Sequence, residues 1–175
     1  MATKTKPKAV VRAHQRAVAS VCITLDDTAP KAPTELRMWG PGWTQTDYGR
    51  FLLDQKAADA IMAQYASRGN RLTWYFGHPE TDGRKAEDRK SAGSFALEVR
   101  ETEAGPELWM VDIQWADGVA DMIARKEWLY FSPSCAYDVD TRRIEEIYNC
   151  ALTNEPATHK ARLLAADRKI GRAHV

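Results

Sequence analysis

The second half of the sequence is a series of short apolar segments separated by turn residues, and this pattern constrains the fold more than any other feature. Residues 104–106 and 138–141 are rich in Gly, Pro or Asp and predict turns. The predicted strands around these turns are Ala92–Arg100, Leu108–Trp115, Trp128–Tyr137 and Arg143–Leu152. Because strands joined by tight turns pair antiparallel, the pattern predicts an antiparallel sheet.

The first half adds helices and further strands to this sheet. Apolar residues recur at helical spacing over Asp54–Ser67, where Asp54 can cap the helix and Gly69 can end it. A shorter helix is predicted over Asp117–Lys126. The additional predicted strands are Ala17–Leu25, Glu35–Trp39 and Arg71–Phe76. The expected fold is α+β, with a mainly antiparallel, barrel-like sheet of six or seven strands and two or more flanking helices.

One folded domain is expected over residues 17–165, which is long enough to bury a core without disulfides or metal. Residues 1–16 are basic and poor in large apolar side chains, as is typical of a disordered arm. At the other end, Lys169–Val175 reads as the translation of a common sequencing adapter. We therefore expect the reading frame to be truncated, with the natural protein continuing beyond about residue 167.

Composition argues against several classes of protein. With 25 Lys+Arg and 24 Asp+Glu the formal charge is +1, so the chain lacks the global basic field of a nucleic-acid-binding protein. The sequence has no apolar run of membrane-spanning length and no secretory signal. Its three cysteines show no Cys-x-x-Cys spacing, which predicts reduced thiols. We expect a cytoplasmic protein with no cofactor, no metal, no nucleic-acid partner and no membrane partner.

Two residues are candidates for nucleophilic chemistry, which needs a hydroxyl within reach of a neutral imidazole. His78 lies where a predicted strand gives way to the polar segment 77–90, although a solvent-exposed loop histidine is the simpler interpretation. Ser132 lies in an aromatic strand directly before Pro133, which removes a backbone donor and predicts an irregular strand there. The alternative is an ordinary edge-strand serine, and Ser134 shares its face by the period of two.

Several segments together resemble Mu-type phage prohead proteases. Trp128-Leu-Tyr-Phe-Ser-Pro-Ser134 is similar to their Tyr-Arg-Tyr-x-Ser-Pro element, and Ala151-Leu-Thr-Asn-Glu-Pro-Ala157 is similar to Ala-Leu-Thr-Asn-x-Pro-Ala. Upstream, Asp47-Tyr-Gly-Arg50, the strand ending in His78, and Ala92-Gly-Ser-Phe95 follow the family order. The resemblance runs from about Leu36 to Ala157, and the combination of segments is what makes it specific.

The resemblance implies a serine endopeptidase of the herpesvirus-assemblin type that matures phage heads. Ser132 would be the nucleophile and His78 the base, acting on scaffold and major capsid proteins inside the prohead, in the host bacterial cytoplasm. A homo-oligomer is expected, and in the family a scaffolding region follows the protease. Family members tend to carry acids before the histidine, whereas this chain has Tyr75-Phe-Gly-His78. The third catalytic residue therefore stays open, and the candidates are Asn149, Glu146 and His159.

Other interpretations compete with this one. Cys135 in an apolar strand is more typical of the core than of a cysteine peptidase. The group His78, Glu80, Asp82 and Asp88 matches no regular metal-ligand spacing, so solvated loop acids are expected. Arg142 and Arg143 are candidate oxyanion donors, although an arginine pair beside a turn usually faces solvent. From a different class, the chain is consistent with a catalytically inactive scaffold or head-assembly protein of the same fold.

Overall fold

The structure is a computed structural model that describes residues 32–78, 89–155 and 157, together with the backbone of 15–18 and 21–22. These residues form ten strands and two helices. In chain order the elements are β1 (Gln15–Val18), β2 (Val21–Cys22), β3 (Leu36–Trp39), β4 (Gly42–Thr46), β5 (Gly49–Leu53), α1 (Gln55–Arg68), β6 (Leu72–Phe76), β7 (Ser91–Thr102), β8 (Gly105–Trp115), α2 (Val119–Ala124), β9 (Tyr130–Tyr137) and β10 (Ile144–Thr153).

One curled sheet carries most of the strands. Its order is β1-β9-β10-β6-β7-β8-β3, with β2 also paired to β9, and β4 and β5 form a separate hairpin. Every described strand pair in it is antiparallel except β6 with β10. The predicted α+β class with a mainly antiparallel sheet is therefore confirmed. Within the described residues the sheet is a half-barrel rather than a closed barrel.

The core lies on one face of this sheet and is built from its largest apolar side chains. Trp74 is fully buried and its ring packs edge-on against Phe95 and Phe131, at centroid distances of 5.5 and 6.0 Å. Aromatic pairs prefer this T-shaped geometry because the ring edge and ring face carry opposite partial charge. Helix α1 contributes Ala57, Ala58 and Ile61 to the same cluster. Small side chains on this face allow the helix to lie close to the sheet.

The predicted helix start and stop signals of α1 are confirmed. Asp54 is the N-cap, and its side chain accepts a hydrogen bond of 2.9 Å from the Ala57 N–H. Gly69 ends the helix with φ 67°, a left-handed conformation that favours glycine. The other helix, α2, is shorter than predicted, because Val119–Ala124 is helical and Lys126 has φ 61°. A left-handed residue at position 126 cannot continue an α-helix.

The β4–β5 hairpin is an element that local sequence patterns missed. Its turn is stabilised from a distance, since the Arg142 guanidinium donates to the carbonyl oxygens of Tyr48 at 2.6 Å and Arg50 at 3.0 Å. Gly49 has φ 100°, and a Cβ there would lie 2.8 Å from the Arg142 Nη2. The positive φ is what favours glycine in this turn, and the side chain that bonds the turn is remote in sequence.

Three smaller differences concern element bounds. β1 includes Gln15 and Arg16, which the sequence assigned to the basic arm, and residues 166–175 lie outside the described residues. The predicted strand 17–25 is seen as β1 and β2 where it is described. The β7–β8 turn is formed by residues 103–104 and precedes Gly105, which already pairs with Thr102.

No helix of the described part of the chain is long and apolar enough to span a membrane.

Candidate functional site

The strand that carries Ser132 lies inside the sheet. β9 pairs with β10 on one side and with β1 and β2 on the other, so the alternative of an ordinary edge-strand serine is wrong. The described pairing with β1 ends at Val18–Ser134, and that with β2 starts at Val21–Phe131. Neither described pairing includes Pro133, which has no N–H to contribute. On the β10 side the register runs through Pro133 without a shift, so the irregularity predicted from the proline is not seen in that pairing.

The two faces of β9 differ in chemistry. Phe131, Cys135 and Tyr137 point into the hydrophobic core. The opposite face carries Ser132, Ser134 and Ala136 from β9 and, by register, Asn149 and Ala151 from β10. These five residues are buried, and none belongs to the core cluster. We call them the small polar face.

Ser132 is the most unusual member of the small polar face. It is 0 % exposed, and its Oγ makes no hydrogen bond with any residue that the structure describes. Burying a hydroxyl without a partner costs about 1–3 kcal/mol, so such groups are rare in stable proteins. A buried, unbonded hydroxyl lowers the stability of the fold, so its presence is best explained by a catalytic role.

His78 reaches the same part of the sheet from β6. Ser132 pairs with Ala151, which pairs with Tyr75, so β6 lies two strand spacings, about 10 Å, from β9. β6 ends at Phe76, and Gly77 then turns the chain with φ 71° while its N–H donates to the Leu152 carbonyl at 3.0 Å. His78 follows directly, half-buried, with both ring nitrogens shielded from solvent.

The candidates for a third catalytic residue fall in different places. Asn149 lies on the small polar face opposite Ser134 and is 6 % exposed. Glu146 pairs with Ala136, about 13 Å along the strand from Ser132, and its carboxylate binds Arg68 at 2.5 Å. His159 lies outside the described residues. The structure therefore sets Asn149 next to Ser132 on the small polar face, whereas Glu146, which shares this face through its pairing with Ala136, lies further along the strand and is engaged by Arg68.

The arginines considered as oxyanion donors are engaged elsewhere. Arg142 stacks over the rings of Phe51 and Tyr137, with its Cζ 4.6 and 4.4 Å from the two centroids. Arg143 binds Asp54 at 2.7 Å. Burial raises the pKa of Asp54, but hydrogen bonds from Arg143 and from the Ala57 N–H outweigh it, so this pKa lies below its ordinary value. Arg142 thus supports the β4–β5 turn and Arg143 supports the start of α1, and both follow the end of β9, which is about 17 Å along the strand from Ser132.

Cys135 is a core residue, as the sequence predicted. It is fully buried, and removal from water raises the pKa of its thiol to about 12, so the reactive thiolate does not form near neutral pH. Burial also raises the pKa of Cys150 well above its ordinary value. Both are free thiols.

A metal site finds no support in the described part of the chain, which contains no group of three or more metal-ligating side chains. Glu80, Asp82 and Asp88 lie outside the described residues. A separate cavity of about 160 Å³ lies beside the first turn of α1, and Asp138, Thr141, Arg143 and Glu145 line its other side. Its lining mixes both signs of charge and includes no residue of the small polar face.

The fold and the site together define the class of domain. It is a β-rich domain with a curled half-barrel sheet, and the strand that carries the buried serine lies inside that sheet. A sequence model of the family described as Mu-like prophage I protein, N-terminal domain, matches residues 36–165, more than half of the 175-residue chain. The chain belongs to this family. Ser132 and His78 both lie within the matched residues. Neither a search of curated proteins nor a search of solved structures finds a match.

Proposed function

We propose that this domain is a serine endopeptidase that cleaves scaffold and major capsid proteins during phage head assembly. The observation that carries the proposal is Ser132, a fully buried hydroxyl that makes no hydrogen bond with any described residue. Its strand is separated by one strand from β6, the strand that leads to His78. Membership of a Mu-like prophage family supports a role in the phage life cycle.

The proposed reaction follows from these two side chains. The neutral His78 imidazole takes the Ser132 Oγ proton as the oxygen attacks the scissile carbonyl carbon. The imidazolium then gives that proton to the leaving amine, and the C–N bond breaks to leave an ester on Ser132. Water hydrolyses the ester by the same proton transfers in turn. Asn149 is the described candidate for orienting the imidazole, because it shares the face of Ser132.

The proposed reaction requires the site to change when substrate binds. Ser132 is closed off from solvent, so a peptide reaches it only when the small polar face opens. The serine–imidazole hydrogen bond must form as well, since Ser132 Oγ makes none with the described residues. Catalytic hydrogen bonds commonly tighten only in the substrate complex.

A second candidate is a catalytically inactive head-assembly or scaffold protein of the same fold. The full burial of Ser132 favours it, because a nucleophile must meet its substrate. The sequence before His78 favours it as well, since Tyr75-Phe-Gly contains no acid to orient the imidazole. In this alternative the small polar face serves only to pack the sheet.

The deciding experiment compares the 175-residue wild type with Ser132→Ala and Ser134→Ala. Each protein is incubated alone and with a peptide library, and masses are followed over time. Cleavage by the wild type and by Ser134→Ala, but not by Ser132→Ala, supports the peptidase and reports its cleavage sites. Identical masses in all three folded proteins would favour the inactive protein instead.

The role of His78 has its own test. Because only a neutral imidazole accepts the serine proton, serine-dependent cleavage should fall on the acid side of the pH profile as His78 becomes protonated. His78→Ala should lower kcat by about 100-fold or more, which is the typical contribution of a general base. Unchanged kcat in this variant would remove His78 from the mechanism.

A further inference from the structure

Asn154 follows directly after β10 and holds the segment that leads into β9. Its Oδ1 accepts a hydrogen bond of 3.0 Å from the Leu129 N–H, and its Nδ2 donates one of 2.8 Å to the Glu127 carbonyl oxygen. One planar amide thus satisfies a backbone donor and a backbone acceptor on either side of Trp128. Among common side chains, only Asn and Gln carry a carbonyl acceptor and an NH2 donor side by side on one planar amide, and Asn has the shorter reach.

Trp128, between the two held residues, contacts the end of β6. Its ring lies 5.5 Å from the ring of Phe76, tilted by 47°. Phe76 is the last residue of β6 and stands two positions before His78. Leu129 precedes Tyr130, where β9 starts, and Ser132 is the third residue of that strand. The Asn154 side chain therefore connects the start of the Ser132 strand with the end of the strand that leads to His78.

The backbone around Asn154 is itself fixed. The Leu152 carbonyl accepts the Gly77 N–H at 3.0 Å, and the Thr153 Oγ1 accepts the Glu155 N–H at 3.0 Å. A little further on, the Ala157 carbonyl accepts the Asp47 N–H at 3.0 Å. These hydrogen bonds hold the segment around Asn154 in place. The Asn154 side chain can therefore fix the positions of its own partners, Glu127 and Leu129.

We infer that Asn154 is a positioning residue that sets the spacing between Ser132 and His78. It acts through Trp128 and Phe76 on one side and through Leu129 on the other, and we call this set of contacts the Asn154 brace. Its effect on catalysis rests on the proposed peptidase function, whereas its effect on geometry does not. A displacement of about 1 Å at a reacting group can lower a rate by about 100-fold, so a brace of this kind matters for kcat.

The geometric test uses the folded 175-residue chain and needs no activity. The imidazole C–H resonance of His78 is assigned by its loss in His78→Gln. In Asn154→Ala and in Trp128→Leu this resonance should move, because the end of β6 loses its support. Asn154→Asp keeps the acceptor for Leu129 but cannot donate to Glu127, so its shift should be smaller. The matched control is Arg125→Gln, which breaks the 2.7 Å ion pair with Glu127 on the same segment and leaves the brace intact.

The kinetic test adds the consequence for cleavage. In Asn154→Ala, kcat should fall by about 10- to 100-fold with KM nearly unchanged, since the brace orients reacting groups and binds no substrate. A His78 resonance that stays at its wild-type position in folded Asn154→Ala overturns the inference, whatever the activity. Absence of Ser132-dependent cleavage in the wild type overturns the proposed peptidase, while the resonance still decides the brace.

Discussion

The two faces of β9 are equally buried but differ in what they bury. On the core face, Phe131, Cys135 and Tyr137 join a continuous cluster of large side chains. On the small polar face, Ser132 and Ser134 oppose Ala151 and Asn149. Hydrophobic burial explains the first face fully, since each large side chain contributes about 1.5–3 kcal/mol. It does not explain the second face, because burying hydroxyl and amide groups lowers stability unless they are hydrogen-bonded. Such groups need a bonding partner or a functional role to account for them.

This difference indicates where to look for function in the domain. For stability alone, a strand inside the sheet needs large apolar side chains on its core face. On its other face, small apolar side chains would stabilise the protein as well as serines do. A serine at 0 % exposure is therefore informative, whereas an equally buried phenylalanine is not. Substitutions on the two faces should separate into effects on activity and effects on stability.

The largest effect is expected from Ser132→Ala. Serine-dependent cleavage should fall by about 1,000-fold or more, while the free energy of unfolding should stay the same or rise by up to about 1–3 kcal/mol, because the variant no longer buries an unbonded hydroxyl. Cleavage assays and urea unfolding of the same preparations measure both quantities. A loss of several kcal/mol would instead assign the hydroxyl a structural role.

The neighbouring residue on the core face should show the opposite behaviour. Phe131 is 0 % exposed and packs edge-on against Trp74, so Phe131→Ala should lower the free energy of unfolding by about 3–5 kcal/mol. Urea denaturation measures this change directly. If Phe131→Ala proved no more destabilising than Ser132→Ala, the distinction between the two faces would be lost.

Alkaline pH should destabilise the folded protein through Cys135, which lies on the core face. Burial raises the pKa of its thiol from an ordinary 9.0 to about 12, so between these values the unfolded chain loses a proton that the folded chain keeps. The contribution to stability is complete below pH 9.0 and is lost as pH rises toward about 12, at about 1.4 kcal/mol per pH unit. Cys135→Ala should make the slope of unfolding free energy against pH less steep, with the buried Cys150 thiol accounting for a remaining slope, and an unchanged slope would contradict this assignment.

The smallest effect is expected from Ser134→Ala on the small polar face. The substitution should cost about 1 kcal/mol of stability, the typical worth of one hydrogen bond, and change kcat by less than about 10-fold. Parallel measurement with Ser132→Ala tests whether the two serines are equivalent. Equal losses of cleavage would mean that the face, and not one hydroxyl, is needed for the reaction.

Local signals in the sequence predicted the elements that depend on local physics. Asp54 and Gly69 marked α1 correctly because capping and left-handed termination involve only nearby backbone groups. The β4–β5 hairpin was missed because its turn is stabilised by Arg142, more than 90 residues away from Tyr48. Strand pairing is non-local in the same way, so the placement of β9 inside the sheet could not be read from Pro133 alone.

The candidate site shows the same division. Ser132 and His78 were identifiable from residue type and family resemblance, and the strand period predicted that Ser134 shares a face with Ser132. The register that sets Asn149 on that face while Glu146 binds Arg68 depends on β-bulges in β10, which have no sequence signature here. Asn154 stood in a recognised motif, but its two backbone partners are 25 and 27 positions away and gave no local signal.

The parallel pairing of β6 with β10 has a consequence for how the domain is made. Cys150, Ala151 and Leu152 pair with a strand that left the ribosome more than 70 residues earlier, and β10 separates it from β9. Closing so long a loop is entropically costly, so sheets of this kind fold late and slowly. During synthesis β9, which carries Ser132, and β6, which leads to His78, thus stay apart until the final described strand inserts between them. The order of translation itself delays assembly of the site until the domain is nearly complete.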